Sequence, residues 1–155
     1  VLAENVPFLG ICLGAQLLSK AAGGKVGRSP KEEIGWFDIS LTEAGTKDIL
    51  FHGFTSKIEV YQWHGDMCVI PKDAVLLARS ERCPVQAFRC GENAYGLQFH
   101  AEITDKSIDE WSRDYAPEKQ HERGAMLKRY REIRSEFERH GRRLCENFMR
   151  IMKGR

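Results

Sequence analysis

The segment Val6-Pro7-Phe8-Leu9-Gly10-Ile11-Cys12-Leu13-Gly14 is the most informative about the fold, because it joins an apolar run directly to a segment of helical spacing. The run that ends at Ile11 is short and follows a polar turn, which predicts a buried strand. From Leu13 to Ala22 the spacing becomes helical, with Leu13, Leu17, Leu18 and Ala21 on one face. Gly23-Gly24 predicts the end of this helix, since glycine readily adopts the left-handed conformation found there. A cysteine therefore lies at a sharp strand-to-helix turn.

The G-x-C-x-G pattern around Cys12 fits the needs of a nucleophile. The backbone at the apex of such a turn is strained, and neighbouring side chains would collide there, so Gly10 and Gly14 are expected to relieve the collision. The N-terminus of the following helix stabilises a thiolate. The backbone N–H of Leu13 is expected to bind a developing oxyanion. Taken alone, the pattern is equally compatible with a buried structural cysteine.

Strands dominate the next part of the chain, and helices follow from residue 104. The predicted strands are 34–41, 58–63, 75–79, 85–89 and 95–99, with turns at 43–45, 64–66, 71–73 and 91–93. Thr104 or Asp105 is expected to cap a helix that runs to about Tyr115 and that Pro117 breaks. A long charged helix then extends to near Met152. The pattern predicts an α/β domain with a helical C-terminal extension.

Bulk composition excludes several classes of protein. The chain has 155 residues, 42% apolar and 30% charged, as expected for one globular domain, and no apolar run reaches the length of about 18 residues that spans a membrane. Residues 118–155 hold 12 basic and 6 acidic residues, whereas residues 1–117 hold 12 and 16. The basic residues alternate with glutamates at helical spacing, which favours a solvated helix face over a nucleic-acid site.

Five cysteines are present, at positions 12, 68, 83, 90 and 145. The number is odd, and no pair has the C-x-x-C spacing of a zinc or redox motif. We therefore expect free thiols in a reducing, cytoplasmic compartment and no metal site. All except Cys12 are expected to be small buried apolar residues.

A second pattern, Tyr95-Gly96-Leu97-Gln98-Phe99-His100-Ala101-Glu102, complements the first. Residues two apart on an extended chain project to the same side, so His100 and Glu102 are expected to lie together. A carboxylate in this position fixes the imidazole tautomer and stabilises its charged form. Such a histidine can hold the Cys12 thiolate and later protonate a leaving amine. H-x-E by itself is a weak pattern, and its meaning comes from the order Cys, His, Glu.

Three motifs together resemble one known family. Residues 7–18 are similar to the nucleophile motif of class I (triad) glutamine amidotransferases, and residues 95–102 resemble their Y-G-x-Q-F-H-P-E motif. Between them, residues 62–66 resemble the W-x-H-G-D segment of the subgroup related to the amidotransferase domain of GMP synthase. The resemblance implies a flavodoxin-like α/β fold with a mixed sheet flanked by helices. The resemblance covers residues 7–102, and the break at Pro117 divides the chain into a catalytic domain, residues 1–116, and a helical extension, residues 117–155.

The resemblance also implies an activity and roles for individual residues. Cys12, His100 and Glu102 would form a catalytic triad that hydrolyses the side-chain amide of glutamine through a glutamyl thioester. Leu13 would supply an oxyanion N–H, and Gln16 would bind the amino-acid end of the substrate. Backbone groups near Trp63 and His64 would hold the substrate ammonium and carboxylate. No cofactor is implied.

The sequence departs from the family pattern at two places. Ala101 stands where the family has proline, which removes a backbone restraint but no catalytic group. Only six residues precede Pro7, whereas the family carries several strands and a glycine-rich oxyanion loop before the nucleophile. We therefore expect the N-terminal strands to be missing from this chain and apolar strand edges to be exposed. That expectation predicts weak glutaminase activity from the 155 residues alone.

Three functions remain open at this point. The first is an amidotransferase that delivers ammonia to a synthase partner or domain, since no P-loop or other acceptor-activating motif is present. The second is a γ-glutamyl peptidase or hydrolase, which needs the same triad. The third is a non-catalytic regulatory module. The expected partners are glutamine and a synthase, without membrane or nucleic acid, and the oligomeric state, including a homo-oligomer, stays open.

Overall fold

A computed structural model describes residues 1–154 and shows one mixed sheet of six strands. The strands are β1 (Phe8–Ile11), β2 (Lys25–Leu41), β3 (Lys57–Val69), β4 (Val75–Arg79), β5 (Ala87–Cys90) and β6 (Ala94–Leu97). Their order across the sheet is β1-β6-β5-β4-β2-β3. β1 and β6 are parallel, and the other neighbouring pairs are antiparallel. β1 is therefore an edge strand of the sheet that the described residues form.

Within the described residues, four α-helices accompany the sheet. They are α1 (Leu13–Ala21), α2 (Glu43–Lys47), α3 (Asp105–Asp114) and α4 (Gln120–Met152), with single turns of 3₁₀ helix at Ile49–Phe51 and Pro117–Lys119. Thr104 caps α3, because its hydroxyl accepts the N–H of Ser107, as predicted. The predicted end of the long helix at Met152 is confirmed. Among residues 1–154, no helix is both long and apolar enough to cross a bilayer.

The sheet buries apolar side chains on both faces. Phe88 packs with Ala15 and Leu18 of α1, whereas its neighbour Ala87 packs in the cluster that contains Leu144 of α4. Adjacent strand residues point to opposite faces, so α1 and α4 cover opposite sides of the sheet. The predicted apolar face of α1 is partly wrong: Leu13 and Leu17 are 64% and 59% exposed. Burial in this helix instead involves Ala15, Leu18 and Ser19.

The antiparallel pair of β2 and β3 differs from the sequence prediction. Residues 64–66, predicted to form a turn, lie inside β3, and β2 starts nine residues before the predicted residue 34. In the register Glu33 pairs with His64, but Arg28 pairs with Asp66. Residues 29–32 therefore face only Gly65, which is an irregularity of the bulge type. Glycine, which indicated a turn in the sequence, here accommodates a break in a long strand pair.

All five cysteines are free. Cys68, Cys83 and Cys90 are buried, as predicted, and Cys12 is partly exposed. The prediction is wrong for Cys145, which is exposed on α4. The helical spacing of that segment places Cys145 beside the buried Leu144 but outside the buried stripe.

Candidate active site

Cys12 occupies the turn between β1 and α1 in an unusual backbone conformation. Its φ is 50° and its ψ is −103°, in a region that residues with side chains rarely adopt. The Cys12 N–H donates to the carbonyl of Leu97 at 2.7 Å, and the Cys12 carbonyl accepts the N–H of Gln16 at 3.1 Å. These bonds to β6 and α1 hold the strained residue in place. Strain of this kind is concentrated at functional sites.

The close approach of β1 to α1 explains one of the two glycines. A Cβ atom at Gly10 would lie 2.5 Å from the carbonyl carbon of Gly14, so any side chain at position 10 would force the turn apart. The prediction for Gly14 is wrong, because a Cβ atom there would meet nothing within 4 Å. Gly10 is thus the residue that permits the elbow.

His100 and Glu102 lie together, as their spacing predicts. His100 Nδ1 is 2.6 Å from Glu102 Oε1. The backbone N–H of His100 donates to the carbonyl of Tyr61 on β3 at 2.8 Å, and the edge of its ring contacts Trp111 of α3, with 5.0 Å between ring centroids. The His100 side chain is 9% exposed, whereas that of Glu102 is 50% exposed. The ring is thus held from three sides while its carboxylate partner remains in contact with solvent.

Groups of β3 and of the segment that follows β6 surround the Cys12 sulfur. It lies 3.9 Å from the carbonyl oxygen of Trp63 and 3.8 Å from Nε2 of Gln98, and it is close enough to His100 to raise the pKa of that ring. Burial lowers the pKa of His100, but the hydrogen bonds and charges of Cys12 and Glu102 outweigh burial and raise it to about 9. The arrangement therefore favours a charged imidazolium beside the sulfur.

The other predicted residues lie around the same point, in different environments. Leu13 is the first residue of α1, so its N–H has no acceptor inside the helix. Gln16 Nε2 donates to the carbonyl of Asp66 at 3.5 Å. The Trp63 carbonyl faces Cys12, and its ring packs against Trp111 at 5.7 Å between centroids. The His64 side chain is 1% exposed and points into the interior, so only its backbone is near the site.

Sequence reasoning missed two residues that bear on the site. Gln98 is 1% exposed, and its amide is directed at Cys12, although the sequence indicates it only as one letter of a motif. Glu33 is fully buried, with Oε2 3.1 Å from Nε2 of His64. The strand periodicity does indicate that Glu33 is buried. It lies an even number of residues before Ile39 and Leu41, so the three side chains share the inward face of the strand.

One group among residues 1–154 has the composition of a metal site. Ligand atoms of Glu33, His64 and Cys83 lie within 4.8 Å of one another, and all three residues are buried. Burial raises the pKa of the Cys83 thiol to about 11, and this thiol donates to the carbonyl of Val85. Zinc binds the thiolate form of cysteine, so a metal at this group would have to displace the Cys83 proton.

Comparison with known sequences assigns the family. Residues 1–111 match the sequence profile described as glutamine amidotransferase class-I. The chain belongs to the class I glutamine amidotransferase family. This confirms the resemblance that the three motifs indicate.

Individual relatives of this chain agree with the family assignment. A glutamine amidotransferase-like protein of Salmonella typhimurium is 44% identical over 101 residues, which are 65% of this chain and 42% of the relative. One of the subunits of the glutamine-hydrolysing GMP synthase of Pyrococcus abyssi is 45% identical over 101 residues, 64% of this chain and 52% of that relative. The chain thus spans about half the length of the curated relatives it matches.

Solved structures confirm the fold. A glutamine amidotransferase from Thermotoga maritima superimposes with a TM-score of 0.85 and 32% identity, covering 95% of this chain and 64% of that one. A glutamine amidotransferase from Methylobacillus flagellatus gives a TM-score of 0.84 and 27% identity, covering 96% and 64%. The α/β fold with a mixed sheet flanked by helices is therefore confirmed.

Proposed function

We propose that this amidotransferase hydrolyses the side-chain amide of glutamine with Cys12 as nucleophile, His100 as acid and base, and Glu102 as its orienting carboxylate. One observation carries the proposal. The His100 ring lies near the sulfur of a strained elbow cysteine, which raises the pKa of His100, and its Nδ1 is 2.6 Å from a carboxylate oxygen of Glu102. A nucleophile, a base and a group that orients the base form the arrangement required for covalent acyl transfer.

The proposed first half-reaction forms a thioester. The Cys12 thiolate attacks the amide carbon, and the resulting oxyanion accepts the N–H of Leu13. The C–N bond then breaks while the His100 imidazolium donates its proton to the nitrogen, which leaves as ammonia. A pKa of about 9 keeps His100 protonated near neutral pH, which suits this step.

The proposed second half-reaction releases glutamate. Neutral His100 takes a proton from water, and the hydroxide attacks the thioester carbon. The C–S bond breaks, glutamate leaves, and the thiolate and imidazolium are regenerated. Glu102 keeps the Nδ1 hydrogen in place throughout, so Nε2 is the nitrogen that exchanges protons.

We also propose where the substrate lies and which partner uses the ammonia. Gln16, Trp63 and His64 lie on the two elements beside Cys12, so the amino-acid end of glutamine would lie between α1 and the segment 63–66. The relatives that belong to glutamine-hydrolysing GMP synthases support a synthase partner that accepts ammonia. Five free cysteines fit the reducing environment of the cytoplasm.

Active-site labelling tests the proposal directly. A chloroketone analogue of glutamine should modify the folded, full-length protein once, at Cys12, and excess glutamine should slow the reaction. Cys145→Ser is the matched control because this other exposed thiol is outside the site: the variant should label normally, whereas Cys12→Ser should not label. Labelling at Cys145 instead of Cys12 would contradict the proposal.

Turnover assays distinguish the proposed glutamine hydrolysis from the hydrolysis of γ-glutamyl dipeptides. The protein should release glutamate and ammonia from glutamine, and Cys12→Ser should release neither. Hydrolysis of γ-glutamyl dipeptides with no turnover of glutamine would replace the amidotransferase assignment with a γ-glutamyl hydrolase. A folded protein that turns over neither substrate and resists labelling would be a non-catalytic module.

A further inference from the structure

Glu33 and His64 form a second histidine–glutamate pair, buried behind the nucleophile. Both side chains are 1% exposed, and His64 Nε2 lies 3.1 Å from Glu33 Oε2. Gln86 donates to the same carboxylate oxygen at 3.1 Å. Within the described chain, Glu33 Oε1 and His64 Nε2 have no aligned hydrogen-bond partner. Burying a carboxyl group with one unpaired oxygen carries a considerable desolvation penalty. We therefore expect the pair to serve a purpose that offsets this penalty.

The contacts of His64 fix its tautomer and leave Nε2 facing the Glu33 carboxyl group. Nδ1 lies 3.0 Å from the carbonyl oxygen of Asp66, which only accepts, so Nδ1 carries a hydrogen. Nε2 then faces a carboxylate oxygen, and two lone pairs at 3.1 Å would repel each other in the interior. A proton on one of the two side chains would remove this repulsion.

The pair lies where the backbone ladder between β2 and β3 is interrupted. Glu33 and His64 are register partners, and the regular pairing stops immediately beyond them at Gly65. Trp63, His64 and Asp66 have register partners on β2, whereas Gly65 lies opposite the irregularity. The His64 ring spans Gly65 through its bond to the Asp66 carbonyl.

That same segment touches the nucleophile and its helix. The Trp63 carbonyl lies 3.9 Å from the Cys12 sulfur, and the Asp66 carbonyl accepts from Gln16 at 3.5 Å. Asp66 is thus bonded to both His64 and Gln16. A displacement of His64 would move the two carbonyl groups that face α1.

We propose that the buried Glu33–His64 pair, holding one shared proton, is a positioning device that fixes the segment 63–66 as the wall of the glutamine pocket. The inference rests on the proposed function and deepens it. Neither side chain reaches substrate; both act through the carbonyl groups of Trp63 and Asp66. Removing the pair should weaken the binding of glutamine more than it slows the chemical step.

Steady-state kinetics of Glu33→Gln test this, with Glu32→Gln as the matched control. Glu32 is the adjacent residue, half exposed and paired with Lys119 at 2.6 Å. We expect Glu33→Gln to raise KM for glutamine about tenfold and to keep kcat within about threefold, as for the loss of a charge-assisted contact made equally in ground and transition states. Glu32→Gln should leave both constants unchanged. An unchanged KM in Glu33→Gln, or a fall in kcat alone, would overturn the proposal.

A double-mutant cycle separates positioning from simple destabilisation. His64→Asn keeps a donor near Nδ1 for Asp66 but cannot reach Glu33, so it should raise KM about tenfold as well. The double variant should be no worse than either single one. Additive effects would contradict a shared device. Where Glu33→Gln does not fold, His64→Asn alone decides by the same rise in KM or its absence.

Two further measurements keep this inference separate from the proposed function. If the wild-type protein does not hydrolyse glutamine, amide hydrogen exchange in residues 63–66 decides: faster exchange in Glu33→Gln than in Glu32→Gln supports the device, and equal exchange overturns it. Zinc titration of the wild-type protein addresses the metal alternative. One zinc bound per chain, lost in both Glu33→Gln and Cys83→Ser, would replace the shared proton by a metal ion and overturn the proposal.

Discussion

The two histidine–glutamate pairs of this molecule use the same residue types in opposite environments. His100 and Glu102 are 2.6 Å apart, and the carboxylate side chain is 50% exposed. His64 and Glu33 are 3.1 Å apart, and both side chains are 1% exposed. A pair that reaches solvent and lies beside a thiol can exchange protons with a substrate, whereas a pair sealed from solvent cannot. Access to solvent and to the sulfur, and not residue type, therefore separates the proposed catalytic pair from the proposed positioning pair.

The largest expected difference between the pairs is in glutamine turnover. His100→Asn removes the proposed acid and base and should lower kcat/KM for glutamine by at least about 10³-fold. His64→Asn should lower it only about tenfold, through KM. Initial rates of glutamate release measure both. His121→Asn is the control, because that side chain is 74% exposed on α4 and should leave the rate unchanged.

Equal losses in His100→Asn and His64→Asn would contradict different roles for the two pairs. A loss confined to His64→Asn would move the proposed acid and base to the buried pair. A normal kcat with a raised KM in His64→Asn would support the positioning role, since that is the pattern expected of a residue that positions the pocket.

The two pairs should also differ in their contribution to stability, and here the loss of His64 should have the larger effect. His64→Ala leaves the Glu33 side chain buried without its partner, which should lower the free energy of unfolding by about 3 kcal/mol or more. His100→Ala leaves Glu102 hydrated, so its loss should be about 1 kcal/mol or less. Urea denaturation of the two variants and the wild type measures this. Equal losses would show that burial does not distinguish the pairs.

The sequence alone indicates the His100–Glu102 pair, but it does not predict the buried Glu33–His64 pair. Cys12, His100 and Glu102 are found from short-range spacing, because an elbow and an H-x-E segment are local patterns. Glu33 lies in Lys31-Glu32-Glu33, a charged run typical of an exposed surface. Its burial depends on pairing with His64, a residue 31 positions later on another strand. Long-range strand pairing of this kind overrides local polarity.

The same distinction between local and long-range signals determines which parts of the fold the sequence predicts. The strand at residues 75–79 and the helices after Thr104 are predicted closely, because their signals are local. The continuation of β3 through residues 64–66 is not predicted, since His-Gly-Asp favours a turn until a partner strand is present. The exposure of Leu13 and Leu17 is likewise missed, because periodicity shows which residues share a face but not what covers it.

The smallest expected effect concerns the open pair alone and is read from its pH dependence. Cys12 and Glu102 raise the pKa of His100 to about 9 against the effect of burial, so the imidazolium that protonates ammonia is lost only as the pH rises through that value. Glu102→Gln removes one of these two supports, and the pKa of His100 should fall by about one unit. The alkaline limb of kcat/KM should move to lower pH by the same amount, with a loss of about tenfold or less at neutral pH. Rates between about pH 6 and 10 measure it, with Glu110→Gln on α3 as the control. An alkaline limb that stays in place in Glu102→Gln would mean that the carboxylate orients the ring without stabilising its charge.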